Sequence, residues 1–182
     1  MQSLNLLDLP TMWCTCDKTK DRWPIMEDRL HALGFKNVHK INGPITSPYF
    51  LGVADGHIQA LTKFKPPFII LEDDVKETKE FKSVIQSIPN NLDALYLGTS
   101  LYGMVKGQVV LGGTISSSYD EQFIKPYNML AIHGVVYLTE EYITKAIEYL
   151  KIDQSIPRGC DLTIAEKMKY HNILAVRRQM FY

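Results

Sequence analysis

The sequence predicts an α/β domain of doubly wound type, with a mostly parallel, mixed central sheet flanked by helices. Three observations carry this expectation. Strand-like and helix-like segments alternate through the first half of the chain, which implies parallel strands joined by right-handed crossovers. The run Phe68-Ile69-Ile70-Leu71 is short, aromatic and β-branched, and so reads as a strand buried on both faces. At 182 residues the chain is long enough for one sizeable core, so residues 1–182 are read as a single domain.

The elements follow in order. Thr11 to Thr15 is a first strand. Asp21 to Leu33 places Trp23, Met26, Leu30 and Leu33 on one helical face, with Pro24 in the opening turn and Gly34 at the close. Asn37 to Ile41 is a second strand, ended by Asn42-Gly43-Pro44. A helix from about Gly52 to Lys63 carries Val53, His57, Ala60 and Leu61, and Pro66-Pro67 stops it before the strand Phe68 to Leu71. Phe81 to Ile88 is expected to be helical and Ala94 to Leu97 a strand. Gly98 to Tyr127 holds glycines 98, 103, 107, 112 and 113, which predicts loop with a hairpin that has Gln108 to Leu111 as one arm. Asn128 to Leu138 is strand-like. Thr139 caps a helix to Leu150, with Glu140 and Glu141 placed favourably against its dipole. Asp161 to Lys169 is a further helix and Ile173 to Val176 a last strand.

Composition narrows the function. Lysine plus arginine balances aspartate plus glutamate at 20 each, which disfavours a nucleic-acid partner. No apolar stretch is long enough to span a bilayer. Met1 to Pro10 has no basic region and does not read as a secretory signal. Three cysteines, Cys14, Cys16 and Cys160, are too few and too scattered for a disulfide framework, and they lack partners at structural-zinc spacing; a reducing, cytoplasmic setting is expected.

The most informative segment is Leu71-Glu72-Asp73-Asp74-Val75. Three carboxylates at the carboxyl end of a buried strand raise one another's pKa, and a divalent cation removes that cost. A cation so placed points to a phosphate-bearing substrate. The competing reading is a capped strand end screened by Lys76, Lys79 and Lys82. Alternation along an extended segment turns Glu72 and Asp74 to one side, with Asp73 facing away.

Several motifs coincide in order: Asp17-Lys18-Thr19-Lys20-Asp21-Arg22-Trp23 after a strand, Ile41-Asn42-Gly43, Gly56-His57-Ile58-Gln59-Ala60-Leu61, Leu71 to Val75, and Leu95-Tyr96-Leu97-Gly98. This pattern resembles glycosyltransferase family 25, which includes bacterial lipooligosaccharide galactosyltransferases. The resemblance implies a GT-A fold and a nucleotide-sugar donor, with UDP favoured. It also implies Mn²⁺ or Mg²⁺ on an acidic DxD-type motif at Glu72-Asp73-Asp74, with Asp74 as direct ligand and Glu72 as ligand, water-mediated contact or ribose contact, and a glycan or lipooligosaccharide-type acceptor. Two departures stand out: Gly56 where the family commonly has Ser, and a chain shorter than most members.

Other candidates each carry a plainer alternative. Arg22 is placed to grip a diphosphate from the opening turn of the first helix, or else pairs with Asp21 or Glu27. Thr15 and Asp17, at the end of the first strand, line the nucleotide pocket by the carboxyl-end rule, or simply make a turn. His57 is a donor contact or a satisfied core histidine. His133, before Gly134 in a strand-like run, is near the sugar or is structural. Asp161 is a helix N-cap, or the base that takes the acceptor hydroxyl's proton, or both; Glu166 is its weaker rival. Asp73-Asp74 and Lys125 echo a phospho-receiver module, but that acidic pair follows the third strand and Asp93 comes too soon to be the acceptor. A non-catalytic sugar- or nucleotide-binding descendant of the transferase fold is the remaining alternative.

Overall fold

A computed structural model of the chain describes residues 1–156 and 159–182. The elements are β1 (Gln2–Asn5), β2 (Thr11–Thr15), α1 (Trp23–Leu33), β3 (Val38–Asn42), α2 (Tyr49–Leu61), β4 (Phe68–Glu72), β5 (Val84–Ile88) and β6 (Ala94–Tyr96). They continue with β7 (Tyr102–Val105), β8 (Gln108–Leu111), β9 (Ser116–Ser118), β10 (Phe123–Pro126), β11 (Gly134–Tyr137), α3 (Glu140–Ser155), α4 (Leu162–Lys167) and β12 (Ile173–Val176). Among the described residues the central sheet has eight strands in the order β3-β2-β4-β11-β6-β12-β10-β9.

The sheet is mixed, and the parallel pairing expected to dominate is confined to β3-β2-β4 and β6-β12. β11 runs antiparallel between β4 and β6, and β10 is antiparallel to both its neighbours. The reason lies in the second half of the chain. The excursion between β6 and β11 makes a long return without a crossover helix, so β11 re-enters the sheet in the opposite sense.

Alternate residues of the central strands feed two cores. Met12, Phe68, Ile70, Ala94, Tyr96, Val135 and Tyr137 pack against Ala60, Leu61, Tyr142, Ala146 and Leu150 of α2 and α3. On the other face Trp13, Ile69, Leu71, Leu95 and Val136 meet Met26 and Leu30 of α1 and Ile85 and Ile88 of β5. β4 is buried on both faces for this reason, which is why its sequence is an unbroken apolar run. Its end at Glu72 is the point where the core runs out.

Helix boundaries follow local chemistry. Gly34 closes α1 in the left-handed conformation (φ 91°), and its N–H reaches the carbonyls of Leu30 and His31. Thr139 caps α3 by accepting the N–H of Tyr142. α1 starts at Trp23 instead of Asp21, because residues Asp17–Arg22 coil as a 3₁₀ turn. α2 starts earlier than expected, at Tyr49.

Two expectations are corrected. Phe81 to Ile88 is not a helix: Val84–Ile88 is a strand that pairs antiparallel with β1, a strand absent from the sequence reading. A helix of eight residues is marginal in water, and burial of Ile85 and Ile88 against the α1 side of the sheet overrides it. Asn128 to Leu138 is a strand only over Gly134–Tyr137. Asn128 is taken by the hairpin, its Oδ1 accepting from Ile115 N–H (2.6 Å) and its Nδ2 donating to the Met104 and Gly113 carbonyls (2.9 Å each). The hairpin itself is present as β7 and β8, joined through Lys106 and Gly107. Among the described residues no helix is long and apolar enough to cross a membrane.

Candidate active site

A cavity of about 600 Å³ opens at the carboxyl ends of β2 and β4, where an open α/β sheet places its ligands. One wall comes from the turn after β4 (Glu72, Asp73, Asp74) and the 3₁₀ turn after β2 (Lys18, Thr19, Arg22). The segment entering β11 (Leu130 to His133), next to β4 in the sheet, and Cys160 and Asp161, which precede α4, continue the lining; α2 contributes Gly52, Gly56 and His57.

Asp73 does not face away. The strand ends at Glu72, so Asp73 and Asp74 sit in a turn where strict alternation no longer applies, and all three carboxylates line the cavity. Asp73 is the most committed of them. Its Oδ2 accepts from Thr15 Oγ1 (2.6 Å) and from Thr19 Oγ1, and its Oδ1 accepts from Arg22 Nη1 (3.0 Å). Trp23 Nε1 in turn donates to Thr15 Oγ1 (2.9 Å). Asp73 thus fastens the turn after β2 to the end of β4 and holds Arg22 at the rim. Thr19 was not legible as a site residue, since nothing in its local spacing signals a partner 54 positions away.

Glu72 and Asp74 keep free lone pairs. The Glu72 side chain is 29% exposed and lies 3.4 Å from His57 Nε2, while His57 is almost wholly buried on α2. Burial raises the Glu72 pKa, but the His57 contact and the charges of His57 and His133 outweigh it and hold the carboxyl below its usual range. Asp74 is 65% exposed, with Arg22 Nη1 at 3.8 Å. Burial and the charges of Glu72 and Asp73 push its pKa up despite Arg22, as like charges crowded together must.

Among the described residues no three His, Cys, Asp or Glu side chains close into a ready-made metal cage. The set fits a hard divalent cation all the same. Mg²⁺ and Mn²⁺ at phosphate-transfer sites use one or two carboxylates and complete their shell with waters and substrate phosphates. Glu72 and Asp74 supply such a pair, and a cation would relieve the upward pressure on Asp74.

Asp161 lines the same cavity. Its side chain does not cap α4. That duty falls to Asp153 of α3, fully buried, whose carboxylate accepts from Thr163 N–H (2.9 and 3.2 Å) and Thr163 Oγ1 (2.6 Å). The capping alternative for Asp161 is therefore replaced by a cap from another helix, and its carboxyl is left on the cavity wall. Burial, then Glu72 and Asp153, push its pKa up to about 6, in the range where a carboxylate works as a general base near neutrality.

Asp17 lies outside the cavity lining; its Oδ1 accepts from Asn42 Nδ2 (2.9 Å) and ties two strand ends together. Glu166 is at the far end of α4, away from the carboxylates. His133 lines the cavity and is packed on Gly98, where a Cβ would stand 2.4 Å from its Nε2. Its Nε2 is buried without a hydrogen-bond partner among the described residues, and burial lowers its pKa against the pull of Glu72 and Asp74.

No protein-family model matches the chain, and no curated protein matches it by sequence. The likeness to glycosyltransferase family 25 therefore rests on the motif residues alone. Among solved structures the chain is similar to the nucleoside-diphosphate-sugar pyrophosphorylase from Vibrio cholerae RC9, with a TM-score of 0.52 at 11% identity, over 93% of this chain and 73% of that one. At that identity the likeness is one of fold: an α/β chain whose mixed sheet follows a similar path.

Proposed function

We propose that this protein is a glycosyltransferase that moves a hexose, galactose or glucose, from a UDP-sugar to a hydroxyl of a glycan acceptor with inversion. The observation that carries the reading is one cavity that gathers two unlike sets of groups. Glu72, Asp74 and Arg22 line it together with Asp161, whose side chain is released from capping.

Each residue then has a task. Arg22, and Lys18 beside it, bind the donor diphosphate, while Asp73 keeps Arg22 in place. Glu72 and Asp74 would hold the divalent cation, and His57 orients Glu72. When bound, the cation neutralises charge on the departing diphosphate. Asp161 takes the proton of the acceptor hydroxyl as that oxygen bonds to the anomeric carbon and the carbon–oxygen bond to the diphosphate breaks.

The fold likeness to a nucleoside-diphosphate-sugar pyrophosphorylase supports a nucleotide-sugar ligand and leaves nucleotidyl transfer as the second reading. Residues 16–22 after β2 contain no glycine. A loop that wraps phosphates with backbone N–H groups relies on glycine for close approach, so this turn favours a side-chain grip on a diphosphate.

Calorimetry and thermal shift with UDP-galactose and UDP-glucose, with and without Mn²⁺, test the proposal. At about a hundredfold excess over Kd the melting temperature should rise by roughly 5 °C or more. Asp74→Ala should remove the Mn²⁺-dependent part of that rise. Metal-independent binding that survives Asp74→Ala overturns the metal assignment, and pyrophosphate-dependent nucleotide formation in place of UDP release selects the second reading.

A further inference from the structure

A second cavity of about 410 Å³ lies between the tip of the β7–β8 hairpin and the carboxyl end of α4. α4 is six residues long, so it separates Asp161 from this cavity by about 9 Å along its axis. Lys106, Lys167 and Lys169 line it together with Glu166, Tyr127 and Tyr170. Among the described residues none of the three lysines has a carboxylate at ion-pair distance; the ion pairs involve Arg22, Arg29, Lys36, His57, Lys145 and Arg178. In a chain of zero formal net charge, three lysines against the one carboxylate of Glu166 are a local cationic excess facing a cavity.

Two features show that the cluster is built. Lys106 holds a left-handed backbone (φ 49°) beside Gly107 (φ 78°), a hairpin turn in which Asn or Gly is the cheaper choice. Lys169 Nζ and Lys167 Nζ lie 5.0 and 5.9 Å from the centroid of the Tyr170 ring, which is 69% exposed. An exposed aromatic ring with two ammonium groups close to it suits a sugar ring that carries a negative substituent.

We propose that this second cavity is a subsite for an anionic saccharide, one bearing a carboxylate or a phosphate. As the place where the acceptor's charged end docks, it rests on the transferase reading; as a binding site it stands without it. The anion is held by Lys106, Lys167 and Lys169, the ring stacks on Tyr170, and the chain of sugars runs along α4 towards Asp161.

The test is a titration of ¹⁵N-labelled, metal-free protein followed by NMR, with glucose 6-phosphate, glucuronate, glucose and inorganic phosphate as separate probes. The two anionic sugars should give saturable shifts at Lys167, Lys169 and Tyr170, and the stronger one identifies the acidic group. Glucose at equal concentration should give none. The triple variant K106A/K167A/K169A should bind the anionic sugars about tenfold or more weakly, with its Mn²⁺–UDP isotherm unchanged. Absence of shifts with both anionic sugars, equal binding by the triple variant, or equally strong binding of inorganic phosphate overturns the saccharide subsite. Absence of UDP binding in both proteins, with anionic sugars binding the wild type and not the triple variant, supports the subsite and refutes only the transferase.

Discussion

Asp161→Asn is expected to lower turnover about a thousandfold while Mn²⁺-dependent UDP-sugar binding stays unchanged, because a positioned general base typically contributes 10²- to 10⁴-fold. The same substitution is expected to raise the melting temperature of the metal-free protein at pH 7–8. The sign follows from linkage. Burial and the nearby carboxylates hold Asp161 at about 6 in the folded chain, above the carboxylate's ordinary 3.8. The unfolded chain therefore gives up this proton more readily, and stability falls as pH rises from about 4 to about 6 and stays lower beyond. A neutral amide removes that penalty, so stability rises by a few degrees at neutral pH, with no gain below about pH 4. In the wild type the acid limb of kcat should fall near pH 6, or somewhat lower once a cation offsets Glu72. A purely structural carboxylate would lose stability on substitution and leave kcat alone. Glu166→Gln, at the other end of α4, should leave kcat unchanged.

Gly52→Ala is expected to be the more damaging of two glycine substitutions that look alike in sequence. A Cβ at Gly52 would stand 2.1 Å from the Pro44 carbonyl oxygen and 3.0 Å from Thr46 Oγ1. The backbone of Pro44 cannot rotate away as a side chain could, so the turn after β3 must leave α2. Thr46 Oγ1, which accepts from Gly52 N–H (2.7 Å) and donates to the Pro48 carbonyl (2.8 Å), loses its geometry with it. Overpacking of this kind costs about 3 kcal/mol, which corresponds to a fall in melting temperature of roughly 6–12 °C in a chain of this size. Since Pro44 and Thr46 line the cavity, donor binding should weaken as well. Gly56→Ala is the control. Its Cβ would meet only Gly43 Cα at 3.6 Å, an ordinary contact, and alanine is the better helix former by about 1 kcal/mol. That variant should be as stable as the wild type or more so; thermal denaturation of the pair reads both outcomes.

The parts of this molecule that were legible in the sequence are those whose cause is local or whose burial is complete. β4 shows itself as an unbroken apolar run because both its faces are covered, and the carboxylates at its end follow from where that run stops. Gly34 and Thr139 mark helix ends through their own backbone chemistry. What could not be read depends on partners far along the chain. β1 and β5 make sense only as a pair. Thr19 becomes part of the cavity wall only because Asp73 reaches it, and Asp17 leaves the wall because Asn42 holds it. Asp161 was ambiguous between cap and base for the same reason: the cap that frees it comes from Asp153, on a different helix. The direction of β11 was likewise invisible in its four residues, since pairing sense depends on how the chain returns and not on which side chains it carries.

The reversed sense of β11 has a consequence for how this protein could diversify. β6 leaves the sheet and β11 re-enters it at the same edge, the two being joined there by Leu97 N–H donating to the Gly134 carbonyl, with Glu72 N–H donating to that of His133. Within the excursion between them, β9 and β10 join the central sheet, whereas the β7–β8 hairpin forms a two-stranded sheet of its own. Lengthening that hairpin reshapes the second cavity, which Lys106 and Gly107 line, and leaves the strand that carries Glu72 in place, so the surroundings of the carboxylates can change while they stay fixed.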